Sequence, residues 1–440
     1  MTGHLLAVEI GPVQEFITSA RRTRDHWFGS YLVAEIAKAA AKGIADAMPP
    51  DGWKNLIFPA PEGPAELEPE SRLAVADVLL AEIPPGASPE EVARAAERAV
   101  DRRWRSYANT ALEQAGPFVR MDVWESQVAE VMECYTAWVP RTNSYPADRR
   151  RVMKVLAGRT TCRNFPPAEK EWWGVPKSSL DGMRESVLRE PSDPQEKEKR
   201  ARRLRLNRGE QLDVVALTKR LGGGRMQYPS VSRLVADPWL RGVARTPAAA
   251  GDYRRLKDLC RNLVREDILT GINANVYRQY ADFPFEAAAL FPERYPELAE
   301  EAGVPLEHLR GLGHIVGQLT KNREYRLGEP DRYYAILTAD GDRLTKALDQ
   351  IETPVEHRRF SHQLDQFAER ARQLITSPDP GAQGALVYAG GDDVLAFVPV
   401  DKVLPCARRL REEFVTLLRE WSKPDRPLSL SVGIGVGHFL

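Results

Sequence analysis

The residues best suited to chemistry are Gly390-Gly391-Asp392-Asp393, two carboxylates at a glycine tip between the apolar runs Leu386-Val387-Tyr388 and Val394-Leu395-Ala396-Phe397-Val398. Such flanks predict two β-strands, and glycine supplies the positive φ that a tight hairpin needs. Taken alone, the stretch reads equally as a solvated turn. A third acid, Asp340, follows the strand-like run Tyr333-Tyr334-Ala335-Ile336-Leu337-Thr338. Carboxylates held a few ångströms apart cannot all stay ionised unless a cation sits among them, and hard oxygen donors select Mg²⁺ or Mn²⁺. The expected metal ligands are Asp340, Asp392, Asp393 and the carbonyl of Gly341. Two such ions can bridge the phosphates of a nucleoside triphosphate, activate a ribose hydroxyl and stabilise the leaving pyrophosphate. Gly341, Asp342, Gly390 and Gly391 are the expected nucleotide-binding positions of this half, with Lys346 as a nearby positive charge. Arg343 and Lys346 suit a solvent-facing position equally well.

Positioning these acids requires a particular order of elements. After the strand at 333–338 comes a helix broken near Pro354 and resumed through Phe360, Leu364, Phe367, Ala371 and Ile375 at helical spacing. The hairpin, a helix over 404–421 and a last strand over 428–434 complete β-α-β-β-α-β, the ferredoxin-like order. In that fold the end of the first strand lies beside the hairpin joining the second and third. The same order occurs earlier: a strand over 5–10, a helix over 13–48 after Gly11-Pro12, strands over 55–59 and 76–83, a helix opened by Ser88-Pro89-Glu90-Glu91 and running to 115, and a closing strand over 119–123. The chain therefore reads as α+β with two ferredoxin-like palm domains, at 1–123 and 329–440, around a mainly helical region at 124–328. Metal acids are expected in the second copy alone, because Glu9 reads as a strand-end surface residue.

With 440 residues the chain is long enough for two or three cores, and 62 basic residues balance 62 acidic ones, so bulk charge argues against a general nucleic-acid or membrane-surface binder. No apolar run approaches the roughly eighteen residues of a membrane span, and Met1-Thr2-Gly3-His4-Leu5 lacks signal-peptide features, which predicts a cytoplasmic protein. Cys134, Cys162, Cys260 and Cys406 are scattered singly, which predicts no zinc and no disulfide framework. Three basic clusters read as solvated faces, with RNA-backbone contact as the alternative: Arg21, Arg22 and Arg24; Arg149 to Arg151; and Lys197 to Arg208. Trp172, Trp173 and Trp239 read as packing residues.

Several stretches together resemble a known family, the large polymerase/cyclase-like subunit of type III CRISPR effector complexes, most closely its Cmr-type version. They are Gly11-Pro12-Val13-Gln14-Glu15-Phe16-Ile17, Ala20 to Asp25, Trp27-Phe28-Gly29-Ser30-Tyr31, Lys177 to Glu185, Gly209 to Asp213, Lys219-Arg220, Tyr228-Pro229-Ser230 and the two acidic signatures. The resemblance implies a subunit that joins ATP into cyclic oligoadenylate messengers within a complex of partner subunits, guide RNA and target RNA. It implies catalytic roles for Asp340, Asp392 and Asp393, and an acceptor side of the nucleotide pocket formed by Gly11, Gln14 and Ser30 of the first palm.

The sequence also departs from the family. It has no His-Asp dipeptide, so cleavage by an HD nuclease site is not carried over, and the family's zinc-binding cysteines are missing. It stops at Phe439-Leu440, just after a palm strand, where the family continues into a small helical domain; this predicts a truncated or naturally short member. Two other readings follow from the same residues: a non-catalytic scaffold binding partner subunits and guide RNA, and a stand-alone cyclase making a cyclic dinucleotide. Ring size and base preference have no signature in the spacing.

Overall fold

The computed structural model describes residues 3–162, 172–207, 209–224, 226–378 and 381–439. Arg208, the last residue of the third basic cluster, lies outside them. Two four-stranded antiparallel sheets organise the chain, and they share one strand order.

In the first sheet, β1 (His4–Gly11) runs between β3 (Val78–Ile83) and β4 (Glu133–Pro140), with the short β2 (Leu56–Phe58) beyond β3. Alternation along β1 splits its side chains between two cores. Leu6, Val8 and Ile10 pack with α2 (Thr23–Asp46) and α3 (Pro89–Ala115), whereas Leu5 and Ala7 join a core shared with the second sheet. Ser88 caps α3, accepting from the Glu91 amide at 3.3 Å, with Pro89 in the first turn.

Two expectations for this region need correction. The helix expected over 13–48 is two helices, α1 (Gln14–Thr18) and α2, separated by a bend. Residues 119–123 do not form the closing strand. Val119 makes an isolated bridge to Leu188, and Met121–Glu130 is helical (α4), with Val123, Trp124, Gln127 and Val128 buried at helical spacing. The sheet is closed instead by β4, so it continues to Pro140, beyond residue 123.

In the second sheet, β5 (Tyr333–Asp342) runs between β7 (Asp393–Pro399) and β8 (Ser429–His438), and β6 (Ala385–Gly390) lies outside β7. Between β5 and β6 stand α12 (Leu344–Leu348) and α13 (Pro354–Thr376), and α14 (Val400–Leu417) joins β7 to β8. The break expected near Pro354 lies between α12 and α13, and Pro354 opens α13 behind a capping box made by Thr353 and Glu356. Ala335, Leu337 and Ala339 face these helices. The opposite face carries Ile336, Leu395 and Phe397.

The intervening region is mainly helical, from α5 (Tyr145–Thr161) through α6 (Pro194–Leu204), α7 (Val214–Leu221), α8 (Val231–Ala244), α9 (Ala250–Arg265) and α10 (Tyr295–Ala302) to α11 (Arg310–Lys321). It fastens the sheets together. Lys219 donates to the Phe16 carbonyl at 2.7 Å, and Arg220, 1% exposed, pairs with Asp25 at 2.6 Å and Glu210 at 3.1 Å. Tyr228 stacks on Trp27 of α2 at 5.4 Å and donates to the Ala385 carbonyl of β6 at 3.0 Å.

Each sheet leans on a helix of the other, α2 against β6 and α13 against β2. At the second contact the Ala60 amide donates to Asp365 of α13 at 3.4 Å, and burial pushes that carboxyl up to about 7. A raised carboxylate stabilises the fold below its unfolded pKa, and that contribution is lost as pH rises towards the folded value. Unfolding in urea at pH 5 and pH 8 should show Asp365→Asn removing a pH-dependent loss of about 2 kcal/mol, discounted for partial exposure. An unchanged pH slope in the variant would contradict this placement.

Candidate active site

The acidic centre forms where β5 ends beside the β6–β7 hairpin. Gly390 pairs with Asp393, so Gly391 and Asp392 make the two-residue tip, with Gly391 at φ 61°. The last registered pair of β5 and β7 is Ala339 with Val394. One step further stand Asp340 and Asp393, both exposed and on the face opposite α13 and α14 by strand alternation. Asp392 turns towards the end of β5, where it accepts from the Gly341 amide at 3.2 Å. A Cβ on residue 341 would sit 2.8 Å from both the Asp392 carboxylate and Leu344, so glycine there lets the hairpin close on β5.

The structure adds a carboxylate that sequence reasoning missed. Asp77 lies immediately before β3, and its carbonyl accepts from the Ile10 amide at 2.9 Å at the end of β1. The hairpin tip approaches the same part of the first sheet: a Cβ on Gly391 would lie 3.9 Å from Phe58. Burial, then the Asp393 charge, pushes Asp392 well above the usual carboxylate range. Burial raises Asp393 as well, followed by Asp340 and Asp77. Asp77 is raised by burial, and Glu9 by burial and then by Asp77. The leading charges acting on Asp392 and Asp393 are all negative.

The other expected positions are distributed more widely. Asp342 accepts from Ser429 at 2.6 Å and Ser431 at 2.8 Å, which hold it below the usual range on the β8 side. Arg343 donates to the Pro427 carbonyl at 3.2 Å, while Lys346 is exposed on α12. In the first sheet Gly11 ends β1 opposite Glu133, and Gln14 is exposed at the start of α1. Ser30 is 2% exposed, with its hydroxyl directed at the His26 carbonyl inside α2 at 3.5 Å.

Much of the cationic charge outside the centre is engaged within the chain. Arg24 donates to the carbonyls of Arg220 and Met226, and Arg149 to the Leu348 carbonyl and the Asp349 carboxylate.

Among the described residues, no three His, Cys, Asp or Glu side chains stand close enough to form a ready metal-binding group. The oxygen-only donor set and its uncompensated repulsion nevertheless match what a hard dication needs. Removing one charge should relieve that repulsion. In EDTA, Asp393→Asn is expected to raise the unfolding free energy by about 1 kcal/mol. A lower stability would contradict the electrostatic reading.

Residues 333–440 match the family model described as Cas10/Cmr2, second palm domain, and residues 5–109 match CRISPR-associated protein Cmr2, N-terminal. A 150-residue stretch is 33% identical to CRISPR system Cmr subunit Cmr2 of Pyrococcus furiosus, covering 27% of this chain and 16% of that relative. The fold is similar to a chain in the cryo-EM structure of apo Type III-B Cmr-beta, with a TM-score of 0.66 and 13% identity over all of this chain and 65% of that one. The form bound to cognate target RNA gives a TM-score of 0.62 and 14% identity over all of this chain and 66% of that one. The chain thus spans just under two thirds of those structural relatives and matches about a sixth of the curated one. No helix among the described residues is long and apolar enough to cross a membrane. The chain thus carries a match to a Cas10/Cmr2 second palm domain at 333–440 and to a Cmr2 N-terminal domain at 5–109, within a fold similar to that of the Type III-B chains.

Proposed function

We propose that the chain is a metal-dependent nucleotidyltransferase that joins ATP into cyclic oligoadenylates, acting as the large subunit of a Cmr-type RNA-guided complex. The observation that carries this reading is the gathering of Asp340, Asp392 and Asp393 where a β-hairpin meets the end of a central strand, with negative charges dominating around Asp392 and Asp393. The two sheets with one strand order support two ferredoxin-like palm domains, one rich in acids and one poor.

In this reading Asp340, Asp392, Asp393 and the Gly341 carbonyl hold Mg²⁺ or Mn²⁺. Such ions, when bound, polarise the α-phosphate and lower the pKa of the attacking ribose hydroxyl. The chain's own residues fix the geometry. The Gly341 amide orients Asp392, Ser429 and Ser431 hold Asp342 aside, and Lys346 is free to meet a phosphate. Gly11 and Gln14 are the acceptor-side candidates that remain open to ligand, since Ser30 is sealed. Partner subunits, guide RNA and target RNA are proposed from the likeness to the Cmr-beta assembly.

One observation favours a second reading. Ready metal-ligand distances are missing among the described residues, as in a scaffold that binds subunits and RNA without turnover. Labelled ATP with Mg²⁺ or Mn²⁺, with and without partner subunits and target RNA, separates the two. Pyrophosphate release and cyclic product are expected from the wild type, with at least a hundredfold loss in Asp392→Ala with Asp393→Ala. A wild type inactive under every condition, with complex assembly intact in the double variant, would establish the scaffold instead.

A further inference from the structure

The hydroxyl of Tyr388 is a polar group at the acidic centre that the reading above leaves unused. Tyr388 stands on β6 opposite Leu395, on the sheet face shared with Asp393. Its ring folds back over the hairpin. A Cβ on Gly390 would collide with the phenol oxygen and the adjoining ring carbons. Glycine at 390 therefore leaves the space that the phenol occupies.

A largely enclosed tyrosine normally finds a hydrogen-bond partner for its hydroxyl. This one has no partner among the described residues, and its oxygen is not one of the unsatisfied atoms sealed from solvent. The charges that act on it are Asp393, Asp77, Asp392 and Asp365, in that order, after burial itself. All are carboxylates, so the phenol keeps its proton and is a donor rather than a base. None of them receives that proton within hydrogen-bonding distance. The group is thus a neutral donor without a protein acceptor among the described residues, beside the acids that would bind the cation of a nucleotide complex. Phosphate oxygens brought in by such a cation are the acceptors that fit.

We infer that the Tyr388 hydroxyl contacts substrate, donating a hydrogen bond to a phosphate oxygen of the nucleotide bound at Asp340, Asp392 and Asp393. This rests on the nucleotide-binding part of the reading above and adds a substrate contact outside the carboxylate set. It also gives Gly390 a role separate from turn formation: it makes room for the donor.

The test compares wild type with Tyr388→Phe in the full 440-residue chain. That change removes one oxygen and keeps the ring over Gly390. Titration calorimetry with a non-hydrolysable ATP analogue and Mn²⁺ should show affinity weakened roughly tenfold or more, as for loss of a hydrogen bond to a charged group. The thermal midpoint and Mn²⁺ affinity without nucleotide should stay unchanged. Gly390→Ala, which displaces the phenol, should weaken nucleotide binding in the same direction. Equal nucleotide affinity in wild type and Tyr388→Phe would overturn the inference. So would a parallel fall in thermal midpoint and Mn²⁺ affinity, which marks a packing role. Failure of the catalytic reading looks different: the analogue binds and Tyr388→Phe weakens it, yet the wild type releases no pyrophosphate from ATP.

Discussion

The structure turns on an electrostatic constraint at the meeting point of its two sheets. Asp340, Asp392 and Asp393 come from the second sheet and Asp77 from the first; after burial, Asp392 is raised by the charges of Asp393 and Asp340, and Asp393 by those of Asp340 and Asp77. Burial and repulsion both act against the ionised forms. Apolar packing holds the arrangement in place. Trp27, Tyr228 and Phe397 bridge α2 to the second sheet, while α13 rests on β2 of the first. The fold thus holds together a centre where the charges acting on Asp392 and Asp393 are negative, the kind of perturbed cluster that functional sites favour.

The intervening region locks the first sheet's geometry. Lys219 is pushed down to about 8 by burial and donates to backbone carbonyls at the α1–α2 bend, and Arg220 satisfies Asp25 and Glu210. On the other side, the buried pair Tyr145–His357, 2.6 Å apart, ties α5 to α13. Burial and Arg149 hold that imidazole down at about 3, so it stays neutral. The Tyr145–His357 contact joins a helix packed on the first sheet to one packed on the second.

Much of the second sheet was legible in the sequence. Its hairpin strands are continuous apolar runs joined by Gly-Gly, and the helix break read near Pro354 falls between α12 and α13. The first sheet's last strand was harder to read. Val119–Val123 looks β-like by composition, yet Val123, Trp124 and Val128 follow a helical period, and Glu133–Pro140 carries weaker alternation. Asp77 had no local signal, because its importance arises from the approach of one sheet to the other, and the space over Gly390 that Tyr388 fills is set by how its ring lies in the hairpin. Arg24 and Arg149 were ambiguous for the same reason: their partners lie about two hundred residues away in sequence. Ser30 came from the family resemblance, which carries position along the chain but not burial.

The central claim is that the acidic centre is built to receive a divalent cation with its nucleotide. Thermal unfolding with Mn²⁺ and a non-hydrolysable ATP analogue, for wild type and for Asp392→Ala with Asp393→Ala, tests it most directly. The account predicts that ligand raises the wild-type midpoint by several degrees and leaves the double variant unmoved. A wild type that does not respond, or a double variant that responds equally, would contradict it.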